Sequence, residues 1–408
     1  MGYRRAAVSL NGRLMSIALY NWAPVGVMLV VGAALALSPA FWVRWRTRHS
    51  SVSERVAARL RALTWATLFL TFDLVVFGAF TRLTDSGLGC PDWPGCYGHA
   101  SPLGAALQIA DAQQAMPSGP VTFPKAWIEM IHRYLATGVG ALIVWLAIAA
   151  WREWRRIPNA QTQRLMAVSF LCLMWVLVQG AFGALTVTMK LYPAIVSLHL
   201  LGGMTGLALL TLLARWRAAS ATQGPDTQGR IWSPEGSPGL TRENLGFTRI
   251  MAWITFAALW LQMALGAWVS TNYAVLACSD FPACQGSYWP PMNFSQGFEI
   301  WRALGVTADG QAIVFEALTA IHFVHRAMAA LVVPLLMVLA WQLNQYPVNR
   351  QASRWLAGLT ALQLATGLSN VVLGWPLVAA LMHTAGAGAL VMVLSWVLCG
   401  FAKHKGMS

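Results

Sequence analysis

The residue types that could do chemistry gather in two short segments. One is Ile128-Glu129-Met130-Ile131-His132-Arg133-Tyr134, and the other is Ile321-His322-Phe323-Val324-His325-Arg326. Each sits near the start of a long apolar run. Glu129 and His132 are three residues apart and so share one helix face. Ionisable groups placed in lipid are costly and are usually retained for function. Two more histidines, His199 and His383, stand near the starts of two other apolar runs. Imidazoles ligate metals or move protons, and a carboxylate one turn away could take or give a proton or stabilise positive charge.

The elements that must hold these groups are membrane helices. The chain has 408 residues, 57% hydrophobic and only 10% charged, with mean hydropathy +0.55. Soluble proteins carry about 25% charged residues. Several runs exceed the ~20 residues that span a bilayer, and they are continuous where a β-barrel would alternate. The fold class is therefore all-α and polytopic. The net charge of +14 does not imply a nucleic-acid partner. Most Lys and Arg fall in alternate loops: Arg44 to Arg61, Arg152 to Arg164, Arg215 to Arg249, Arg350, Arg354 and the tail at Lys403 and Lys405. The opposite loops hold only Arg82, Lys125, Lys190 and Arg302. This positive-inside bias places the cysteine loops outside a bacterial-type inner membrane and the C-terminus in the cytoplasm.

Nine helices are predicted, at about 21–43, 63–82, 126–151, 165–189, 194–216, 250–270, 315–343, 355–373 and 377–401. The first has no small-residue cleavage site after it, so it reads as an anchor and not a signal peptide. The chain divides into 1–61 (an extra helix and a basic linker), a four-helix half at 62–216, a Gly/Pro/Ser-rich linker at 217–248, a second four-helix half at 249–402, and a tail at 403–408. The halves repeat. Gly78 precedes Cys90 as Gly266 precedes Cys278. Cys90/Cys96 and Cys278/Cys284 share one spacing, with Asp and Pro at matching places. His132-Arg133 matches His325-Arg326, and Gln179, Gly183 and His199 match Gln363, Gly367 and His383. Both units cross the membrane in the same sense, a parallel repeat.

At 1.5 Å per residue, His132, His199 and His383 lie ~9 Å below the starts of their helices, with His325 about a turn deeper. A lone membrane histidine is usually a core residue with an interhelical hydrogen bond. Four at repeat-related positions form two facing pairs, the axial ligand set of a bis-His heme in each half. Arg133 and Arg326, beside the ligands, could pair with propionates. The cysteine pairs read either as structural disulfides or as redox-active pairs, and spacing favours the structural one; Cys172 and Cys399 read as packing residues. Glu129 has His322 as its repeat counterpart, so the halves differ chemically. Asp73, mid-helix, has no assigned role, and His49, His99 and His404 read as solvated.

At these positions the chain resembles the heme A synthase family. The resemblance is carried by Thr81-Arg82-Leu83-Thr84-Asp85-Ser86-Gly87-Leu88, Cys90-Pro91-Asp92-Trp93-Pro94, Glu129-x-x-His132-Arg133, Ser270-Thr271-Asn272-Tyr273 with the second cysteine pair, His325-Arg326 and the two late histidines. It spans about 62–402. It implies oxidation of a porphyrin methyl of heme O to the formyl of heme A, by successive hydroxylations and loss of water, to supply terminal oxidases. It further implies heme b as iron cofactor on His325 and His383, substrate heme at His132 and His199, Glu129 on the essential acidic position, and Cys90/Cys96 on the outer-loop disulfide. The implied partners are heme O and heme A, the lipid bilayer, an electron acceptor of unidentified chemistry, heme O synthase and oxidase assembly factors. The first helix lies outside the family's usual eight, and His322 competes with His325 as a ligand. The alternative reading is a diheme membrane cytochrome b carrying electrons from quinol to an acceptor. Prenyl transfer would need Asp-rich magnesium motifs, which the inner loops lack.

Overall fold

The structure, a computed structural model, describes residues 23–49, 55–221 and 242–401. In chain order the helices are α1 (Ala23–Arg46), α2 (Arg55–Leu83), α3 (Ala106–Ala115), α4 (Phe123–Arg156), α5 (Ala160–Thr188), α6 (Pro193–Ala221), α7 (Arg242–Thr271), α8 (Phe294–Gly297), α9 (Phe315–Asn344), α10 (Arg350–Val372) and α11 (Leu377–Phe401). Among the described residues nine are long and apolar enough to cross a membrane, all but α3 and α8, and β-structure is limited to isolated bridges. The chain is an all-α, multi-pass membrane protein. Lys403, His404, Lys405 and residues 222–241 of the linker at 217–248 lie outside the described residues.

Several helices outrun their apolar cores. α2 starts at Arg55 rather than near Leu63, α7 at Arg242 rather than near Ile250, and α4 continues to Arg156. An apolar run reports the thickness of the hydrocarbon layer, whereas Arg, Ala, Glu and Gln continue a helix well beyond it. Local signals set the starts. The Thr122 side chain accepts the Lys125 N–H, with Pro124 in the first turn of α4. Asn159 and Thr162 form a capping box at α5. The short helices α3 and α8 went unseen in the sequence because they carry no apolar stripe; α3 buries only Ile109.

α2, α4, α5 and α6 pack on one another in sequence, as do α7, α9, α10 and α11. The groups join where α6 meets α7 and α11, and where α2 meets α11. One core of buried leucines and valines runs through both, including Leu68, Leu142, Leu207, Leu339, Leu356 and Leu394. α1 lies against α4 through small residues. A Cβ on Gly32 would come 2.5 Å from Thr137 Cγ2, and one on Gly138 would come 3.2 Å from Leu35 Cβ. At the disulfide-bearing end, Arg82 Nη2 donates to Ser270 O at 2.6 Å, and the Tyr273 hydroxyl donates to Asp85 at 2.6 Å. The C-terminal ends of α2 and α7 therefore meet.

Candidate heme site

The four repeat-related histidines occupy four different helices: His132 on α4, His199 on α6, His325 on α9 and His383 on α11. Each ring lies against a glycine of a neighbouring helix. A Cβ added at Gly78 of α2 would sit 3.2 Å from His132 Cε1. At Gly183 of α5 it would sit 3.4 Å from His199 Cε1, at Gly266 of α7 2.9 Å from His325 Cε1, and at Gly367 of α10 3.3 Å from His383 Cε1. The glycines that anchored the repeat in the sequence are thus the floors on which the imidazoles rest. All four histidines are half-buried. Phe77 tilts against His132 at 6.3 Å between ring centres.

The ring nitrogens differ between the halves. His383 Nδ1 lies 3.0 Å from Thr366 Oγ1, and His325 Nδ1 lies 3.1 Å from Gln262 Nε2. The Nδ1 atoms of His132 and His199 are buried without a hydrogen-bond partner. Imidazoles over glycine floors, two in each half, fit the two axial positions of a heme. Among the described residues no cluster of three or more His, Cys, Asp or Glu is placed to hold a bare metal ion.

Glu129, one turn above His132 in sequence, is buried. Its Oε2 accepts the Cys90 N–H at 2.8 Å, and its Oε1 pairs with Arg133. Arg133 reaches the first disulfide loop. Its Nη1 donates to the carbonyls of Asp92 at 2.9 Å, Pro94 at 3.2 Å and Gly95 at 2.5 Å. Arg326 does the same for Asp280 at 3.0 Å, Pro282 at 3.2 Å and Ala283 at 3.1 Å. The disulfide loops fold back over the helices, so their carbonyls reach both guanidinium groups. His322 takes Glu129's place: its Nδ1 accepts the Cys278 N–H at 3.3 Å. That contact sets it against the second disulfide loop.

Both cysteine pairs are disulfides, Cys90–Cys96 and Cys278–Cys284. In each loop one aspartate accepts two consecutive N–H groups: Asp92 those of Tyr97 and Gly98 at 2.6 and 2.7 Å, Asp280 those of Gln285 and Gly286 at 2.6 and 2.9 Å. Gly98 and Gly286 both have φ near +73°, where a side chain would be strained. The N–H groups of Gly286 and then Gln285 hold the Asp280 carboxyl below its ordinary range. Partial burial, followed by the Asp92 charge, raises the Tyr97 phenol.

Asp73 is exposed on α2, without an ion pair among the described residues. His49 accepts from Arg48 at 2.9 Å, His99 is bridged to Cys96 in the first disulfide loop, and Cys172 and Cys399 are free thiols. Sequence reasoning missed Gln262 and Thr366. A polar residue inside an apolar run was the available signal for both.

The fold and site define a class: a multi-pass helical membrane protein whose interior carries two pairs of imidazoles, each suited to a heme iron. The chain belongs to the COX15-CtaA family, cytochrome oxidase assembly protein, which it matches over residues 61–395. It is 35% identical to the heme A synthase of Shewanella oneidensis over 349 residues, covering 85% of this chain and 98% of that one. It is 31% identical to the heme A synthase of Sphingopyxis alaskensis over 392 residues, 91% of this chain and 98% of the relative. The heme A synthase of Halalkalibacterium halodurans is 28% identical over 336 residues, 81% and 93% of the two chains.

Proposed function

We propose that the chain is a heme A synthase, oxidising a porphyrin methyl group of heme O to the formyl group of heme A. The observation that carries this is the pair of half-buried imidazoles on glycine floors in each half, within a chain matched along most of its length by heme A synthases. The relatives' shared name sets aside the electron-carrying cytochrome reading. The chemistry is an oxidation at a CH group by successive hydroxylations and loss of water.

The division of labour follows the repeat. The half at 62–216 receives substrate heme between His132 and His199. The half at 249–402 holds heme b between His325 and His383, where it supplies electron transfer when bound. The extra helix within 1–61 packs beside α4, and 217–248 links the halves on the cytoplasmic side. Glu129 puts a carboxylate beside the substrate site, where it holds a proton or balances positive charge. Its ion pair with Arg133 and its bond to Cys90 keep that carboxylate and the disulfide loop in one arrangement. Positive-inside charge bias puts the disulfide loops on the outer face of a bacterial inner membrane. The electron acceptor docks there or reaches the site from the bilayer, and heme O synthase and oxidase assembly factors are the neighbours that would deliver substrate and take product.

The test is expression with a supply of heme O, followed by extraction and separation of the hemes. Hydroxylated and formyl hemes are expected. Hemes that cycle redox state with no hydroxylated or formyl product would overturn the enzyme reading in favour of the electron carrier.

A further inference from the structure

The two histidine pairs sit in different hydrogen-bonding environments, and the difference maps onto single repeat-related positions. In the frame that superposes Gly183 on Gly367, Thr366 corresponds to Phe182. In the frame that superposes Gly78 on Gly266, Gln262 corresponds to Leu74. The C-terminal half therefore has polar groups where the N-terminal half has apolar ones, one beside each histidine.

Thr366 settles a tautomer. Its hydroxyl has one hydrogen, and it donates that hydrogen to Leu362 O at 2.7 Å. Toward His383 Nδ1, 3.0 Å away, it can only accept. Nδ1 must then carry the proton, which leaves the Nε2 lone pair free for iron. A second anchor holds the same residue, since Gln363 Nε2 donates to His383 O at 2.9 Å. At His325 the Gln262 amide lies against Nδ1 and the His325 carbonyl, at 3.1 and 3.2 Å, and its Oε1 is otherwise unpartnered. The His325 carbonyl can only accept, so the amide nitrogen must face it, and Gln262 holds His325 through that bond and through its contact with the ring, 3.1 Å from Nδ1 and 3.5 Å from Nε2. Phe182 and Leu74 offer His199 and His132 nothing, and both Nδ1 atoms are unpartnered.

Resting on the heme-ligand reading above, we infer that Thr366 and Gln262 are positioning residues that make the C-terminal pair the permanent iron-holding site. Their apolar counterparts Phe182 and Leu74 leave the N-terminal pair unanchored, so that a heme can enter, be processed and leave. A hydrogen-bonded Nδ1–H orients the ring and raises the basicity of the ligating nitrogen, and removing such a partner typically weakens metal binding ~10–100-fold. One site of this protein must retain its heme through many turnovers, and the other must release it every time. The repeat supplies one scaffold for both, and these two positions distinguish them.

The experiment uses the full-length protein purified with its bound heme. Transfer of heme b to excess apomyoglobin gives a release rate, and a redox titration gives the midpoint potential. Thr366→Val keeps the shape and removes the acceptor. Release is expected to quicken about ten-fold or more, and the midpoint potential to rise because a less basic imidazole favours ferric iron less. Thr366→Ser is expected to restore both. Gln262→Leu, which installs the residue of the other half, is expected to quicken release as Thr366→Val does, because it removes the bond to the His325 carbonyl, and serves if that variant fails to fold. Wild-type release in both Thr366→Val and Gln262→Leu, or a wild-type potential in Thr366→Val, would overturn the inference, provided His383→Ala lacks heme b. Full heme b in His383→Ala would instead overturn the ligand reading beneath it.

Discussion

Four glycines carry four imidazoles, and the closeness of each contact sets a graded expectation. Carbon atoms pack best at about 3.5–4.0 Å. An alanine Cβ at Gly266 would lie 2.9 Å from His325 Cε1, whereas one at Gly183 would lie 3.4 Å from His199 Cε1, which is ordinary contact. In the empty protein an imidazole can swing aside, so neither substitution should unfold the chain. Replacing glycine inside a helix by alanine even favours the helix by about 0.5–1 kcal/mol. With iron bound the ring cannot move, and overpacking of this kind costs about 1–3 kcal/mol. Taking ~2 kcal/mol for Gly266→Ala, heme b affinity should fall roughly 30-fold. Gly367→Ala, at 3.3 Å from the His383 ring, should fall by less. Gly78→Ala, at 3.2 Å from both Cε1 and Nε2 of His132, should impair substrate turnover while leaving heme b in place, and Gly183→Ala should be nearly silent. Heme content by pyridine hemochrome and thermal unfolding of the empty protein separate the two effects. Normal heme b content in Gly266→Ala, or equal loss in Gly183→Ala, would refute the reasoning.

Other substitutions address the loops. Arg133→Met removes three carbonyl contacts and leaves Glu129 buried without its partner. Breaking a buried pair costs about 3–5 kcal/mol, so the first disulfide loop should open roughly 100- to 5,000-fold more often, seen as faster limited proteolysis between 84 and 122; unchanged cleavage would show that the loop is held by other means. Asp280 is held below its usual titration range by the Gly286 and Gln285 N–H groups. A depressed carboxyl contributes stability that is full above its unfolded value, about 3.9, and is lost as pH falls through its folded value. Phosphine reduction of Cys278–Cys284 should therefore accelerate below about pH 4 in the wild type, and should be fast and flat with pH in Asp280→Asn. A wild-type rate that ignores pH in that window would contradict this.

The membrane architecture was legible because lipid leaves a chain few choices. Backbone groups in hydrocarbon must be paired internally, so continuous apolar runs become helices, and a histidine inside one needs a reason. The equal spacing from Gly78 and Gly266 to their cysteines, and from Gln179 and Gln363 to their histidines, then tied sites far apart in the chain. What stayed hidden depends on contacts that no spacing encodes. A guanidinium next to a ligand suits a carboxylate or a set of carbonyls equally well, and only the folded-back loops show that Arg133 and Arg326 hold carbonyls. Glu129 and His322 looked like a point of difference, yet each accepts the N–H of the first cysteine of its disulfide. They share a structural task and differ in charge. Thr366 reads as any threonine bonded back to its own helix until His383 on α11 is placed beside it. The helix ends were also invisible, since hydropathy marks the bilayer and Arg55 to Arg61 continue α2 beyond it.

The central claim is that one scaffold, used twice, holds a resident heme in one half and works on a transient heme in the other. Its most direct test is the heme complement of His132→Ala, His199→Ala, His325→Ala and His383→Ala, each purified from cells supplied with heme O. The first two should retain heme b and form no heme A, and the last two should lose heme b. Loss of heme b from the His132 or His199 variants with its retention in the His325 and His383 variants would contradict the account.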